Sequence, residues 1–101
     1  MSWESAITVV SDHFGISREY ILDYNRDVNT VNARLMCIAL MRIHLDMNYV
    51  EIGKALNRNH ATIIHAMTKF WGYMSVERRF REDYRKIESE FLKQLKDETT
   101  I

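Results

Sequence analysis

The sequence has no proline, only three glycines (Gly15, Gly53 and Gly72) and no run of alternating β-branched residues. With breakers scarce and a period of two missing, a sheet is argued against, and helices joined by short polar turns remain. A single cysteine, Cys37, sits inside the apolar run LMCIALM. It rules out an intrachain disulfide and reads as a buried structural thiol, which suits a reducing cytoplasm. No apolar stretch approaches the ~20 residues of a membrane span. The opening MSWESAITVV carries Glu4 and no basic segment ahead of its apolar residues, unlike a secretory leader. The expectation is a cytoplasmic chain with no membrane partner. An excess of charge is missing too: 14 Lys and Arg balance 14 Asp and Glu. Any attraction to a polyanion must therefore come from how the charge is distributed, and its counterion-release component is modest.

What is present fits one domain spanning residues 1–101, with 47% hydrophobic residues for a modest core and 28% charged residues for a solvated surface. The charges are unevenly placed. Residues 1–51 hold four basic and seven acidic side chains, and residues 77–101 hold seven of each. Residues 52–76 hold Lys54, Arg58 and Lys69 with no acid.

Six helices are predicted, an all-α compact bundle. The first begins after Ser2, aligns Trp3, Ile7, Val10 and Phe14 on one stripe, and ends at Gly15. Ser17 caps a short second helix, with Ile16 and Ile21 at hydrophobic-staple spacing. The polar segment 25–29 reads as a loop, and a long third helix from about Thr30 to Leu45 carries Leu35, Met36, Ile38, Ala39, Leu40 and Ile43, which places it at the bundle's centre. Asn48 and Glu51 form a variant capping box that opens a fourth helix, YVEIGKAL. Asn57-Arg58-Asn59 is a turn, Asn59 caps a fifth helix ending near Gly72, and Ser75 caps a last amphipathic helix over about 76–97. The stripe of that helix is Val76, Phe80, Tyr84, Ile87, Phe91 and Leu95.

Helices four and five have the layout of a helix-turn-helix, here Asn48 to about Tyr73, whose second helix points its N-terminal end into the major groove of DNA. At 100° per residue, Ile63, Ala66, Met67 and Phe70 share one side of helix five, and Ala61, Thr62, His65, Thr68 and Lys69 spread over the other. That outward side is small and polar, as close approach to base edges requires. Gly53 in mid-helix costs about 1 kcal/mol against alanine, which close packing against helix five explains. The Arg58 fork suits guanine or phosphate; Asn59 suits adenine, in competition with its capping duty. His60 donates to a base or touches a thymine methyl, and Ala61 and Thr62 are small enough for methyl contacts or a phosphate bond. Lys54 and Lys69 are placed as phosphate anchors, with His65 and Thr68 on the same outward side.

The run EIGKALNRNHATIIHAMTKF, Glu51 to Phe70, resembles the C-terminal DNA-binding domain of the bacterial replication initiator DnaA. Glu51-Ile52-Gly53 stands at the family's Glu-Ile-Gly, and Arg58-Asn59-His60-Ala61-Thr62-Ile63-Ile64-His65-Ala66 stands at its recognition helix. Ile7 to Leu22 and Arg34 to Leu40 resemble its upstream helices. The resemblance implies a Trp-repressor-like helix-turn-helix that reads a short duplex site as a monomer, with bases read from Asn59, His60, Ala61 and Thr62. It also implies that Lys69 contacts phosphate and that a loop around Arg26, Asn32 and Arg34 enters the minor groove. Three positions depart from the family. Asn59 replaces an aspartate, Asn57 stands in a turn one residue shorter, and Asn32 replaces the arginine of the basic loop.

No Gly-x-x-x-x-Gly-Lys-Ser/Thr loop occurs, so no nucleotide cofactor and no enzyme activity is expected. His60 and His65 are five residues apart, about 140° around a helix, which is wrong for a shared metal. The mixed charges of the last helix read as a solvated face. The expected function is sequence-specific binding of double-stranded DNA in the regulation of replication or transcription, of the stand-alone kind that a phage or other mobile element encodes. The competing expectation is an adaptor or decoy that binds the host initiator or another replication protein.

Overall fold

The computed structural model describes residues 3–99. Their elements are α1 (Glu4–Phe14), α2 (Arg18–Leu22), α3 (Val28–His44), α4 (Tyr49–Leu56), α5 (His60–Val76) and α6 (Arg78–Thr99), with no strand among them. The fold class is the expected all-α bundle. No described helix is long and apolar enough to cross a membrane.

The helix ends follow side-chain chemistry. Ser2, where the first helix was placed, lies outside the described residues; Trp3 occupies the N-cap of α1, and Gly15 closes that helix at φ 65°. The Ser17 hydroxyl accepts from the Tyr20 amide to start α2. The third helix begins two residues earlier than expected because Asp27 is its cap, accepting from the Thr30 amide and hydroxyl. The Thr30 hydroxyl holds the Asp27 carboxyl below its ordinary pKa. The cap's contribution is therefore complete above the ordinary aspartate pKa and is lost as pH falls through the lowered one.

The largest boundary correction concerns α5. Gly72 does not end it and Ser75 does not cap the next helix; the Ser75 hydroxyl instead bonds back to the Trp71 carbonyl, and α5 continues to Val76. Gly72 is exposed, so its penalty of about 1 kcal/mol is tolerated over a well-packed helix. Val76 is 79% exposed and drops out of the α6 stripe, whereas Phe80, Tyr84, Ile87 and Phe91 are buried as expected.

The core sits around α3, which packs against each of the other five helices. Residues 35–41 of α3 are all buried, Cys37 among them, and burial pushes its thiol up to about 12. Ile43, expected in the core, is 40% exposed at the end of α3. Phe70 of α5 meets Phe80 and Tyr84 of α6 edge-on, at centroid distances of 5.7 and 4.8 Å, which joins the fifth helix to the sixth. α6 is also held by His13–Asp83 (3.2 Å) from α1 and His44–Glu88 (2.7 Å) from α3.

Candidate nucleic-acid interface

The turn between α4 and α5 sets how α5 is presented. Asn48 and Glu51 bond reciprocally, at 2.8 and 2.9 Å, so α4 starts where its capping box places it. At the other end Asn57 adopts φ 56°, ψ 51°, and the Arg58 amide returns to the Gly53 carbonyl at 2.7 Å. This is a Schellman closure with asparagine, a residue that tolerates the left-handed region, at its pivot. A Cβ on Gly53 would lie 2.5 Å from the Arg58 carbonyl oxygen and 3.5 Å from the His60 amide nitrogen. Glycine is required there for the turn itself, more than for the body of α5. Its absence of a side chain lets α5 begin directly against α4.

α5 then divides as its periodicity predicts. Ile63, Ala66, Met67 and Phe70 are buried. Asn59, His60, Ala61, Thr62, His65, Thr68 and Lys69 are exposed, with Lys54 of α4 beside them. Asn59 is the N-cap, its Oδ1 accepting from the Ala61 amide at 2.7 Å. The Thr68 hydroxyl bonds back to the Ile64 carbonyl. Lys54, Asn59 and His60 border a hollow of about 500 Å³ with Val50 and Asn57.

The two arginines depart from what their chemistry suggested. Arg58 directs Nη1 to the Leu22 and Leu56 carbonyls (2.9 and 2.7 Å) and Nη2 to the Asp23 carbonyl (2.7 Å). Its guanidinium lies 4.6 Å over the Tyr24 ring. Arg34 directs Nε to the Ile21 carbonyl (2.8 Å) and Nη2 to the Asp23 carbonyl (2.7 Å), with a longer reach to the Asn25 carbonyl. Both forks therefore clamp the C-terminal carbonyls of α2, where the partial negative charge of a helix end favours cations. Burial, and then the neighbouring Arg58, lowers the Arg34 pKa. In this arrangement the donors of both forks are engaged by main-chain carbonyls, while both side chains remain half-exposed at the surface.

The clamp nevertheless builds a surface. Between the 23–27 loop and α5 runs an open groove of about 600 Å³, lined by Arg26, Arg34, Arg58, Thr62, His65 and Lys69 over a floor of Leu35 and Ile38. Arg26 is exposed in it; Asn32 is half-buried on α3 and borders neither hollow. Tyr24 had no role in the sequence reading. Its hydroxyl donates to the Asn57 carbonyl at 3.2 Å while its ring supports Arg58, so it ties the loop to the turn. Nothing in a lone tyrosine after a short helix signals a contact 33 residues away.

Residues 3–70 match the family described as the bacterial DnaA protein helix-turn-helix. Among curated proteins, the chromosomal replication initiator protein DnaA of Bacteroides fragilis is 33% identical over 87 residues, 85% of this chain and 18% of that protein. The corresponding protein of Herpetosiphon aurantiacus is 35% identical over 75 residues, 73% of this chain and 16% of that protein. That of Bacteroides thetaiotaomicron is 30% identical over 87 residues. The chain spans under a fifth of the length of these relatives.

Proposed function

Since the chain belongs to the bacterial DnaA helix-turn-helix family, we propose that it binds double-stranded DNA site-specifically, with the N-terminal end of α5 in the major groove. The observation that carries this reading is the exposed, acid-free, small and polar face of α5, set forward by the Gly53 turn. Asn59, His60, Ala61 and Thr62 face base edges; Lys54, His65, Thr68 and Lys69 face phosphates. Arg26 lies along the adjoining minor groove. Arg58 and Arg34 act as positioning residues, because their donors hold the end of α2 against the turn. A reader of this kind acts in the control of replication or transcription.

The test is selection of bound sites from a random duplex library, followed by affinity as a function of salt. A single enriched motif is expected. His60→Ala should erase discrimination between that motif and a scrambled duplex. Lys54→Ala and Lys69→Ala should weaken all duplexes alike and each flatten the log affinity against log salt slope by roughly 0.9. Equal affinity for selected and random duplexes would overturn site-specific reading. The rival reading, a protein-binding adaptor, is favoured by the zero net charge and by the engagement of both arginines with main-chain carbonyls. It predicts no retention on a DNA column at low salt.

A further inference from the structure

The groove between the 23–27 loop and α5 has a chemistry that contact with DNA alone does not require. No Asp or Glu is among the residues that line it, in a chain that carries 14 acids. The Arg34 and Arg58 guanidiniums bring positive charge to it, although main-chain carbonyls engage their donors. Along its exposed edge, the side chains of Arg26, His65 and Lys69 have no hydrogen-bond or ion-pair partner among the described residues. Beneath them the groove reaches the central helix α3, where Val31, Leu35 and Ile38, with Ala66 of α5, make an aliphatic floor. A phosphodiester strand resting on the edge cations makes no use of such a floor. The volume of about 600 Å³ lies in the range of pockets that hold small organic molecules. Those pockets combine an apolar lining with a few polar groups that orient the ligand.

We infer that the groove is a binding site for a small amphiphilic carboxylate, with its head among Arg26, His65 and Lys69 and its apolar body on the aliphatic floor. Charge complementarity selects the head, because unpaired donors face a space that holds no competing carboxylate. The floor selects the body, since apolar surface withdrawn from water there adds affinity that a bare anion cannot gain. The consequence for function rests on the DNA-binding reading above. Arg26, His65 and Lys69 are the side chains assigned there to the minor groove and the phosphates, so a bound carboxylate and a duplex exclude each other. Occupancy of the groove releases DNA.

The experiment is calorimetric titration of the full chain with octanoate and with naphthaleneacetate. Octanol and inorganic phosphate serve as body-only and head-only controls. One saturable site is expected for at least one carboxylate, with both controls weaker by roughly tenfold or more. Amide chemical shifts of Val31 and Ala66 should move on titration. Arg26→Glu, on the exposed loop, and Val31→Glu, in the floor, should each weaken the carboxylate roughly tenfold, and circular dichroism checks that both variants fold. By fluorescence anisotropy, the carboxylate should lower affinity for a selected duplex in proportion to its occupancy. The inference is overturned by the absence of a saturable site, by octanol or phosphate binding as tightly as the carboxylate, or by undiminished binding to the folded variants. A carboxylate that binds but leaves duplex affinity unchanged overturns the exclusion of DNA. A wild type that takes up the carboxylate yet selects no duplex motif overturns the DNA-binding reading and leaves the site standing.

Discussion

At the scale of single residues, Arg58 shows how one side chain joins two tasks. It occupies the turn of the helix-turn-helix, yet its donors reach carbonyls at the end of α2, 35 positions earlier. Hydrogen bonds that involve an ionised donor contribute about 1.5–3 kcal/mol each in folded proteins, and three such bonds are lost together in Arg58→Ala. A loss of at least about 2 kcal/mol is expected, read as a fall of roughly 10 °C or more in melting temperature. Arg58→Lys should restore little, because one ammonium lacks the geometry to span the Leu22, Asp23 and Leu56 carbonyls. If both variants melt with the wild type, the clamp is not a stabilising feature. Sequence chemistry identified Arg58 as a fork seeking acceptors but could not identify them. Nothing local brings α2 beside the turn; only packing around α3 does so.

At the scale of elements, the turn between α4 and α5 depends on Gly53 and Asn57. Gly53→Ala drives a methyl into the Arg58 carbonyl and should cost about 1–3 kcal/mol, as overpacking does. Asn57→Ala should cost about 1 kcal/mol for its left-handed backbone, while Asn57→Gly stays near neutral. Urea midpoints of the three variants check the order. Those helix ends that were legible in the sequence were the ones marked by capping side chains, Asn48 with Glu51, Asn59 and Ser17, or by a glycine in the left-handed region, Gly15. The α5 end was misread because Gly72 and Ser75 resemble stop and start signals. Phe70 packs on Phe80 and Tyr84 before them, and Tyr73, between them, meets Phe80 edge-on, so α5 continues to Val76. Asp27 was missed as a cap because the residues it opens, Val28 and Asn29, are exposed and carry no apolar period.

At the scale of the whole molecule, α6 completes the core. The family match ends at Phe70, yet Phe80, Tyr84, Ile87 and Phe91 of α6 are all buried. Phe91→Ala should cost about 3–5 kcal/mol, a large fraction of a small domain's stability. Val76→Ala, at an exposed position, should stay within about 0.5 kcal/mol. Trp3 and Trp71 lie at distant points of the chain, so their fluorescence and the helical circular dichroism should lose signal at one urea concentration. A separate, earlier transition would show that α6 is an independent appendage. The sequence revealed the α6 stripe through its period; the His13–Asp83 and His44–Glu88 pairs that fasten it were illegible, because they join residues 70 and 44 positions apart.

The clamp on α2 is built on main-chain carbonyls of residues 21, 22, 23 and 25, with the Tyr24 ring under the Arg58 guanidinium as the loop side chain that supports it. Path and composition are thereby decoupled in the loop that follows. Its length and route are pinned, because one inserted residue would carry the Asp23 and Asn25 oxygens away from both guanidiniums. Arg26, exposed and outside the clamp, is open to exchange without disturbing the angle at which α5 stands. The loop is thus a position where new preferences can be written onto an unchanged reading helix.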